Sequence, residues 1–378
     1  LTWRCLHTAD WQIGKPFRNF EDRIAGVLDD ARLTAIDRVA AAAREGGARH
    51  ILVAGDVYDA EVVSERTLRQ PIERMRAHAD VVWHLLPGNH DPIRAGSLWH
   101  RLADLGLPQG IRAHLTPSPV ELEPGVVLLP APLTSRATSI DPTTYMDAVS
   151  TPDGTLRIGF AHGSIASFSQ DGEAATPIAA DRAKRAGLDY LALGDWHGTV
   201  EINPQTWYSG TPEPDRFRTT NAGQALLVEV PGRRAAPMVR ATRTGRFHWT
   251  EIEAAVLSAN DFERLERGLA PAGYALDQVL ARMVLSGRVS LDVVLAAEAW
   301  GGDLAARLKF FEADLSGLTI DADGANLDLF GQDGPLRQTA DRIARILHDA
   351  DLPRRAAAAG ALARLLALSR ETGREPAP

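Results

Sequence analysis

Apolar and polar residues change period repeatedly along the first half of the chain, and each change marks an element. Residues 4–8 read as a strand, and apolar positions at helical spacing over 23–45 predict a long helix. Continuous apolar runs at 50–54 and 80–86 predict buried strands. Between them, 64–78 predicts a helix with Ser64 as its N-cap. Short apolar runs follow at 126–129, 156–161 and 190–193. Strand and helix alternating in this way imply mostly parallel sheets covered by helices, an α/β fold. From residue 205 the pattern changes: 206–209, 224–230, 237–241 and 247–252 read as an antiparallel run that closes the core. Beyond 254 comes a helix–strand mixture, with strands at 278–286 and 315–321 and helices at 261–269 and 303–314. Terminal amphipathic helices follow at 335–350 and 353–370, the second carrying Leu362, Leu365, Leu366 and Leu368 on its apolar face. The expected domains are 1–254 and 255–378.

Composition narrows the class. The 378 residues are 45% hydrophobic and 24% charged, ordinary for a globular chain with a full core. No apolar stretch is long enough to span a membrane, and the first residues run into a strand pattern without a signal-peptide core. The single cysteine, Cys5, excludes an intramolecular disulfide framework; it reads as a core residue and fits a cytoplasmic location. A net charge of −8 means that any contact with nucleic acid is a local patch or relies on bound metal. Only three of the 41 basic residues are lysines, a bias that carries no functional inference.

The candidate chemistry sits just after apolar strands. Asp10 and Gln12, Asp56, Asn89 with His90, His162, and Asp195 with His197 follow five such runs in order. Asn-His-Asp and Gly-Asp also occur in ordinary turns. Together, however, they bring oxygen and imidazole donors to one sheet edge, where open α/β folds bind ligands. A pair of divalent cations about 3.5–4 Å apart needs a bridging carboxylate and several terminal ligands of these types.

The segments His7-Thr8-Ala9-Asp10-Trp11-Gln12-Ile13-Gly14-Lys15, Gly55-Asp56-Val57-Tyr58-Asp59, Gly88-Asn89-His90-Asp91 and Gly194-Asp195-Trp196-His197 resemble the SbcD-type DNA-repair nucleases. These are a branch of the binuclear, calcineurin-like metallophosphoesterases. Tyr208-Ser209-Gly210-Thr211-Pro212 is similar to the strand-turn segment that follows the last metal motif of that group. The resemblance covers roughly residues 3–250 and is weaker beyond. It implies a metallophosphoesterase β-sandwich flanked by helices, with a smaller C-terminal α+β cap. One metal would take Asp10, Gln12, bridging Asp56 and His197, and the other Asp56, Asn89, His162 and Asp195. Two dications would activate a water and neutralise the phosphate oxygens, with His90 as the catalytic histidine. Asp91 and Asp59 would support their loops by hydrogen bonding, and His7 lies outside the site. His84, His100, His114, His248 and His348 have no partner spacing and read as surface or satisfied core.

Two positions depart from the family pattern. Asp10-Trp11-Gln12 stands where the family has Asp-x-His, and Gly194-Asp195-Trp196-His197 where it has Gly-His-x-His. Both exchange an imidazole for an oxygen donor. Three carboxylates then face two dications, so the formal site charge falls from +2 to +1. Oxygen-rich ligation favours Mn²⁺ over softer metals, with Mg²⁺ or another divalent ion able to substitute, and the lower charge favours an alkaline rate optimum. The expected activity is a manganese-dependent DNA endonuclease, and in part exonuclease, acting on single strands or DNA ends in repair. Lys15, Arg18, Arg94, Arg216 and Arg218 are candidate backbone contacts. Trp11 and Trp196 could stack on bases, although packing beneath the metals competes as an explanation. A small-molecule phosphodiesterase or phosphatase and a non-catalytic scaffold are the alternatives. The resemblance implies a Rad50-like (SbcC) ATPase docked through the C-terminal helices as one partner beside DNA. The short C-terminal stretch leaves little room for a docking module, however, and favours a stand-alone nuclease, or one working with other repair enzymes. No membrane is expected.

Overall fold

The computed structural model describes residues 2–165, 176–218, 221–320, 327–330 and 333–349, with further positions between 354 and 368. Two compact units meet in the chain between Phe247 and His248. The first contains two six-stranded sheets. One is built from β1 (Trp3–Thr8), β2 (His50–Val53), β3 (Val82–Leu85), β4 (Ile111–Ala113), β13 (Gln224–Val230) and β14 (Met238–Arg243), in the order β14-β13-β1-β2-β3-β4. The other is built from β5 (Val120–Glu123), β6 (Val126–Ala131), β7 (Leu156–His162), β10 (Tyr190–Gly194), β11 (Val200–Asn203) and β12 (Thr206–Tyr208), in the order β11-β12-β10-β7-β6-β5. A short parallel pair, β8 (Ser164–Ile165) and β9 (Pro177–Ile178), belongs to the same unit. In each large sheet four neighbouring strands are parallel (β1 to β4; β6, β7, β10 and β12), and antiparallel strands complete the edges.

Alternation along the strands explains the layering. On β1, Leu6 faces a core built with Ile36, Val39 and Ala43 of α1 (Asp22–Glu45) and Leu68, Ile72 and Met75 of α2 (Glu65–Arg76). Leu98 and Trp99 of α3 (Leu98–Leu105) join the same core. Trp3 and Cys5, on the opposite face of β1, pack between the sheets with Ile158, Phe160, Tyr190 and Val228. Burial pushes the Cys5 thiol pKa up, as for an unreactive core residue. Ser64 caps α2, its hydroxyl accepting from the Thr67 amide at 3.1 Å. The second sheet is covered by a further cluster that includes Met146, Leu191, Tyr208 and Ala183 of α4 (Arg182–Arg185). The result is a mixed α/β fold of sheets flanked by helices.

The expected antiparallel run is only partly present. β13 and β14 pair antiparallel, but β12 extends the parallel ladder from β10. The stretch predicted at 247–252 becomes β15 (His248–Ala255), a strand of the second unit paired in parallel with β16 (Val279–Val289). There, β15, α5 (Asn260–Arg267), β16, α6 (Leu291–Arg307) and β17 (Phe310–Ile320) form a three-stranded parallel sheet with its helices, and α7 (Pro335–Asp349) follows. The helix predicted over 303–314 straddles a junction. α6 ends at Arg307, and Phe310 begins an eleven-residue strand. The Leu308 amide closes α6 on the Leu304 carbonyl at 2.8 Å, and Lys309 already bonds the Val279 carbonyl at 2.9 Å. Gly301 and Gly302 obscured the helical period of α6, while apolar residues flanking Lys309 carried it falsely across the boundary. The helix predicted over 353–370 lies partly outside the described residues, Leu366 among them; the described positions between 354 and 368 are helical.

Candidate metal centre

Four of the six non-glycine residues with positive φ among the described residues are predicted ligands: Asp10 (53°), Gln12 (44°), Asp56 (52°) and Asp195 (108°). Left-handed backbone is unfavourable for side-chain-bearing residues and persists where the surroundings over-determine it. Here main-chain bonds supply that constraint. The amides of Asp10, Gln12 and Ile13 donate to the carbonyls of Gly55, Asp56 and Val57 at 3.1, 2.9 and 2.9 Å, lacing the first motif to the second. Buried Arg32 adds a bond from its guanidinium to the Gln12 carbonyl at 3.0 Å.

Two glycines permit the loops to close on each other. A Cβ at Gly88 would lie 2.2 Å from Asp56 Oδ1 and 2.4 Å from Asp56 N, and one at Gly194 would lie 2.0 Å from the Ala54 carbonyl oxygen. Gly88→Ala should therefore destabilise the fold by about 1–3 kcal/mol and weaken Mn²⁺ binding at the same time. A melting curve and a metal titration on one sample check this. Unchanged values in both would mean that the approach is not tight.

Asp10, Asp56 and His162 place one ligand atom each within 4.8 Å of one another, and all three are buried. His162 Nδ1 donates to the Ala54 carbonyl at 2.8 Å, which directs Nε2 into the centre, 3.6 Å from Asp56 Oδ1 and 3.8 Å from Asp195 Oδ1. The Asn89 side-chain oxygen is 2.9 Å from that Nε2; turned about, the amide would donate to His162 and Asp56 instead. Asp195 is held by Ser164, whose hydroxyl donates to Oδ2, and its own amide donates to both Asp10 carboxylate oxygens at 3.1 and 3.2 Å.

The electrostatics fit a cation. Burial alone would lower the His162 pKa, but Asp56, Asp10 and Asp195 outweigh it and raise it to about 9. Asp10 is raised to about 6, first by burial, with His162 and His197 opposing and Asp56 and Asp195 adding to the effect. A buried carboxylate pushed toward its protonated form beside an imidazole pushed toward its charged form marks a site with uncompensated negative charge. Its donors, carboxylate, imidazole and amide, are those of first-row and alkaline-earth dications. When bound, such cations supply an activated water and neutralise phosphoryl oxygens.

His90 lies at the mouth, its side chain 41% exposed. Nδ1 donates to the Asp59 carbonyl at 2.9 Å, leaving Nε2 4.0 Å from Asp56 Oδ2 and able to meet a substrate oxygen. Asp91 accepts from the amides of Tyr58 (3.0 Å) and Gly88 (2.6 Å) and so ties the second and third motifs together. His7 bridges the two sheets instead, accepting from the Tyr190 hydroxyl at 2.9 Å and donating to the Leu193 carbonyl at 3.1 Å.

The other side of the centre contains a residue missed in the sequence. Asp215, buried, accepts from His197 Nδ1 at 3.1 Å, from Arg216 Nε at 3.1 Å and from Lys15 Nζ. Burial would raise its pKa, but His197, Lys15 and Arg216 hold it well below the usual carboxylate range. It lies three residues beyond Pro212, just past the strand-turn segment, and only that proximity could have flagged it. Lys15 also donates to Gln12 Oε1 at 3.0 Å. Of the other expected backbone contacts, Arg94 pairs with Glu61 at 3.3 Å, the Arg216 guanidinium lies 3.0 Å from His197 Nδ1, and Arg18 and Arg218 are exposed. Trp11 is buried, donating to Thr8 and edge-on to Trp83 at 5.8 Å, so it is core and does not stack on bases. Trp196 packs against the cluster covering the second sheet.

The family profile of the calcineurin-like phosphoesterases matches residues 4–198, just over half of the chain and every predicted ligand. The chain belongs to the calcineurin-like phosphoesterase family. It is therefore a member of a group of binuclear metal-dependent enzymes, and its chemistry is phosphoester hydrolysis. Similar solved structures include a protein of Thermus thermophilus (11% identity, TM-score 0.40, covering 65% of this chain and all of that one). Another is a dimetal phosphatase from Danio rerio (11% identity, TM-score 0.34, covering 63% and 98%). No curated protein sequence matches the chain. Among the described residues, no helix is long and apolar enough to cross a membrane.

Proposed function

We propose that this calcineurin-like phosphoesterase is a manganese-dependent DNA nuclease that hydrolyses phosphodiesters in single strands or at DNA ends. The observation that carries this reading is the rim beside His197 and Lys15. There, half-buried Phe20 and Phe217 lie beside Arg18, Arg216 and Arg218 in sequence, and Phe17 is buried behind them with its face covered by the Arg32 guanidinium. Phe20 and Phe217 stack with centroids 6.4 Å apart, and Phe17 meets Phe20 edge-on at 6.2 Å. A groove lined by Lys15, Phe17, Arg18 and Phe20 runs beside them, with Asp22 and Asp29 also in its wall. Aromatic faces interleaved with guanidinium groups suit a flexible polyanion that carries bases. The oxygen-rich ligand set supports manganese as the working metal. Under the same proposal the protein acts alone or with other repair enzymes, and a Rad50-like ATPase partner is supported only by the resemblance of its sequence motifs.

One observation favours a smaller substrate. Lys15, Arg216 and Arg94, three of the five candidate backbone contacts, are already engaged, the first two by Asp215 and the third by Glu61, and the chain carries a net charge of −8. Incubation with circular single-stranded and linear DNA in Mn²⁺, beside His90→Ala, separates the readings. Cleavage of DNA that falls about 10²–10⁴-fold in the variant is expected, the range for loss of a positioned acid or base. Turnover of bis-p-nitrophenyl phosphate with both DNA forms intact would instead establish a small-molecule phosphodiesterase.

A further inference from the structure

Gln12 does not face the centre as a ligand does. Its side-chain oxygen points away and accepts from Lys15 Nζ at 3.0 Å, while its amide nitrogen points inward. That nitrogen lies 3.4 Å from Asp56 Oδ2 and 3.3 Å from His197 Nε2. Because His197 Nδ1 donates to Asp215, Nε2 is left as an acceptor, which the Arg216 guanidinium also approaches at 3.4 Å. The two N–H groups of one amide thus reach both atoms that a cation between Asp56 and His197 would use. Turning the amide to offer its oxygen would set NH₂ against the Lys15 ammonium, two donors with no acceptor between them. Lys15 cannot easily retreat, since its other partner, Asp215, is a buried carboxylate. The main chain of Gln12 is equally fixed, by its bond to Asp56 and by Arg32.

We propose that Lys15 locks Gln12 in the orientation that blocks the metal position between Asp56 and His197, so the two positions of this centre are unequal. The first cation binds tightly at Asp10, Asp56 and His162. The second binds only by displacing the Gln12 amide. Lys15 is a positioning residue that sets the affinity of the second metal. This inference rests on the metal-centre reading of the site and is independent of which phosphoester is cut.

Equilibrium dialysis and Mn²⁺ paramagnetic resonance on the full chain test it, with no turnover involved. The wild type should hold one Mn²⁺ tightly and a second at least tenfold more weakly, so the spectrum of a coupled pair appears only at high Mn²⁺. Lys15→Met frees the Gln12 oxygen, and the second Mn²⁺ should tighten about tenfold. Gln12→Gly is the deciding variant, because glycine suits the positive φ, adds no ligand and leaves the Lys15 charge in place. If the amide blocks the position, its removal tightens the second Mn²⁺ several-fold. If Gln12 is a ligand, removal weakens it. Two equal sites in the wild type, or a weaker second site in Gln12→Gly with the first retained, would overturn the proposal. Loss of DNA cleavage alone would bear on the nuclease reading and leave these stoichiometries unchanged.

Discussion

Asp56→Asn should abolish the Mn²⁺-dependent rise in melting temperature and reduce phosphoester hydrolysis by about a thousandfold or more, equivalent to roughly 4 kcal/mol. Asp56 sits among donors from several motifs, with the Gln12 amide nitrogen 3.4 Å from Oδ2. It accepts from the His90 amide at 2.9 Å and stands 3.6 Å from His162. A ligand present at a hundred times its dissociation constant stabilises the fold by about 2.7 kcal/mol, and that stabilisation should disappear with the Asp56 charge. In metal-free protein the same change should move the melting temperature only slightly. Neutralising Asp56 relieves its repulsion of Asp10 and at the same time removes its attraction for His162, two effects of opposite sign. Asparagine also keeps an oxygen for the His90 amide. Calorimetry with and without Mn²⁺ reads both halves. A variant that melts far below wild type without metal, yet still gains stability from Mn²⁺, would mean that Asp56 is structural.

The protein should lose stability steeply as pH falls from about 6.5 to 4, because three histidines form a stacked chain between its two main sheets. His50 Nδ1 lies 2.9 Å from His84 Nε2, and His84 Nδ1 lies 3.0 Å from His114 Nε2, with ring centroids 5.2 and 5.3 Å apart. Burial, with Arg49 and Arg112 nearby, lowers His50 and His114 to about 4, and His84 lies well below the usual imidazole range. The folded state therefore refuses protons that the unfolded chain accepts. Stability is complete above pH 6.5 and declines as pH drops toward the folded values. At about 1.4 kcal/mol per tenfold change in proton affinity, His50 and His114 each contribute on the order of 3 kcal/mol. His162 and Asp10 in the metal-free centre titrate in the opposite sense, so the trio is isolated by comparison with a variant. His84→Leu should cost about 1–3 kcal/mol at pH 7.5, by leaving neighbouring ring nitrogens unpaired. It should also flatten the pH dependence of urea unfolding between 6.5 and 4. Parallel curves for wild type and variant would rule out the trio as the acid-sensitive element.

The trio also shows where sequence reading stopped. His50, His84 and His114 have no motif spacing, and only strand register places Leu52 of β2 beside His84 of β3 and Leu85 beside Ala113 of β4. Local signals carried far in the other direction. Ser64 capped its helix, the apolar runs became strands, and the seven candidate ligands sit at five strand ends. Of these, Asp10, Asp56 and His162 bring ligand atoms together, while Gln12 turns its oxygen to Lys15. What failed depended on pairing. Nothing local in Thr206–Tyr208 distinguishes a strand that joins a parallel ladder from one that opens an antiparallel run. Glycines inside α6 masked a helix, and an apolar stretch crossed its end. Asp215 and the orientation of the Gln12 amide were invisible for the same reason, since each is defined by partners up to 200 residues away.

The positive φ angles at Asp10, Gln12, Asp56 and Asp195 restrict which substitutions the centre can explore. Asn, Asp, His and Gly tolerate such backbone, whereas β-branched residues do not. Most single changes that keep the loops intact therefore exchange one polar or ligating side chain for another. A randomised library at these four positions should return folded members drawn largely from that small alphabet. Such members would differ chiefly in metal preference, so the loops can drift between cations more readily than they can lose the capacity to hold one.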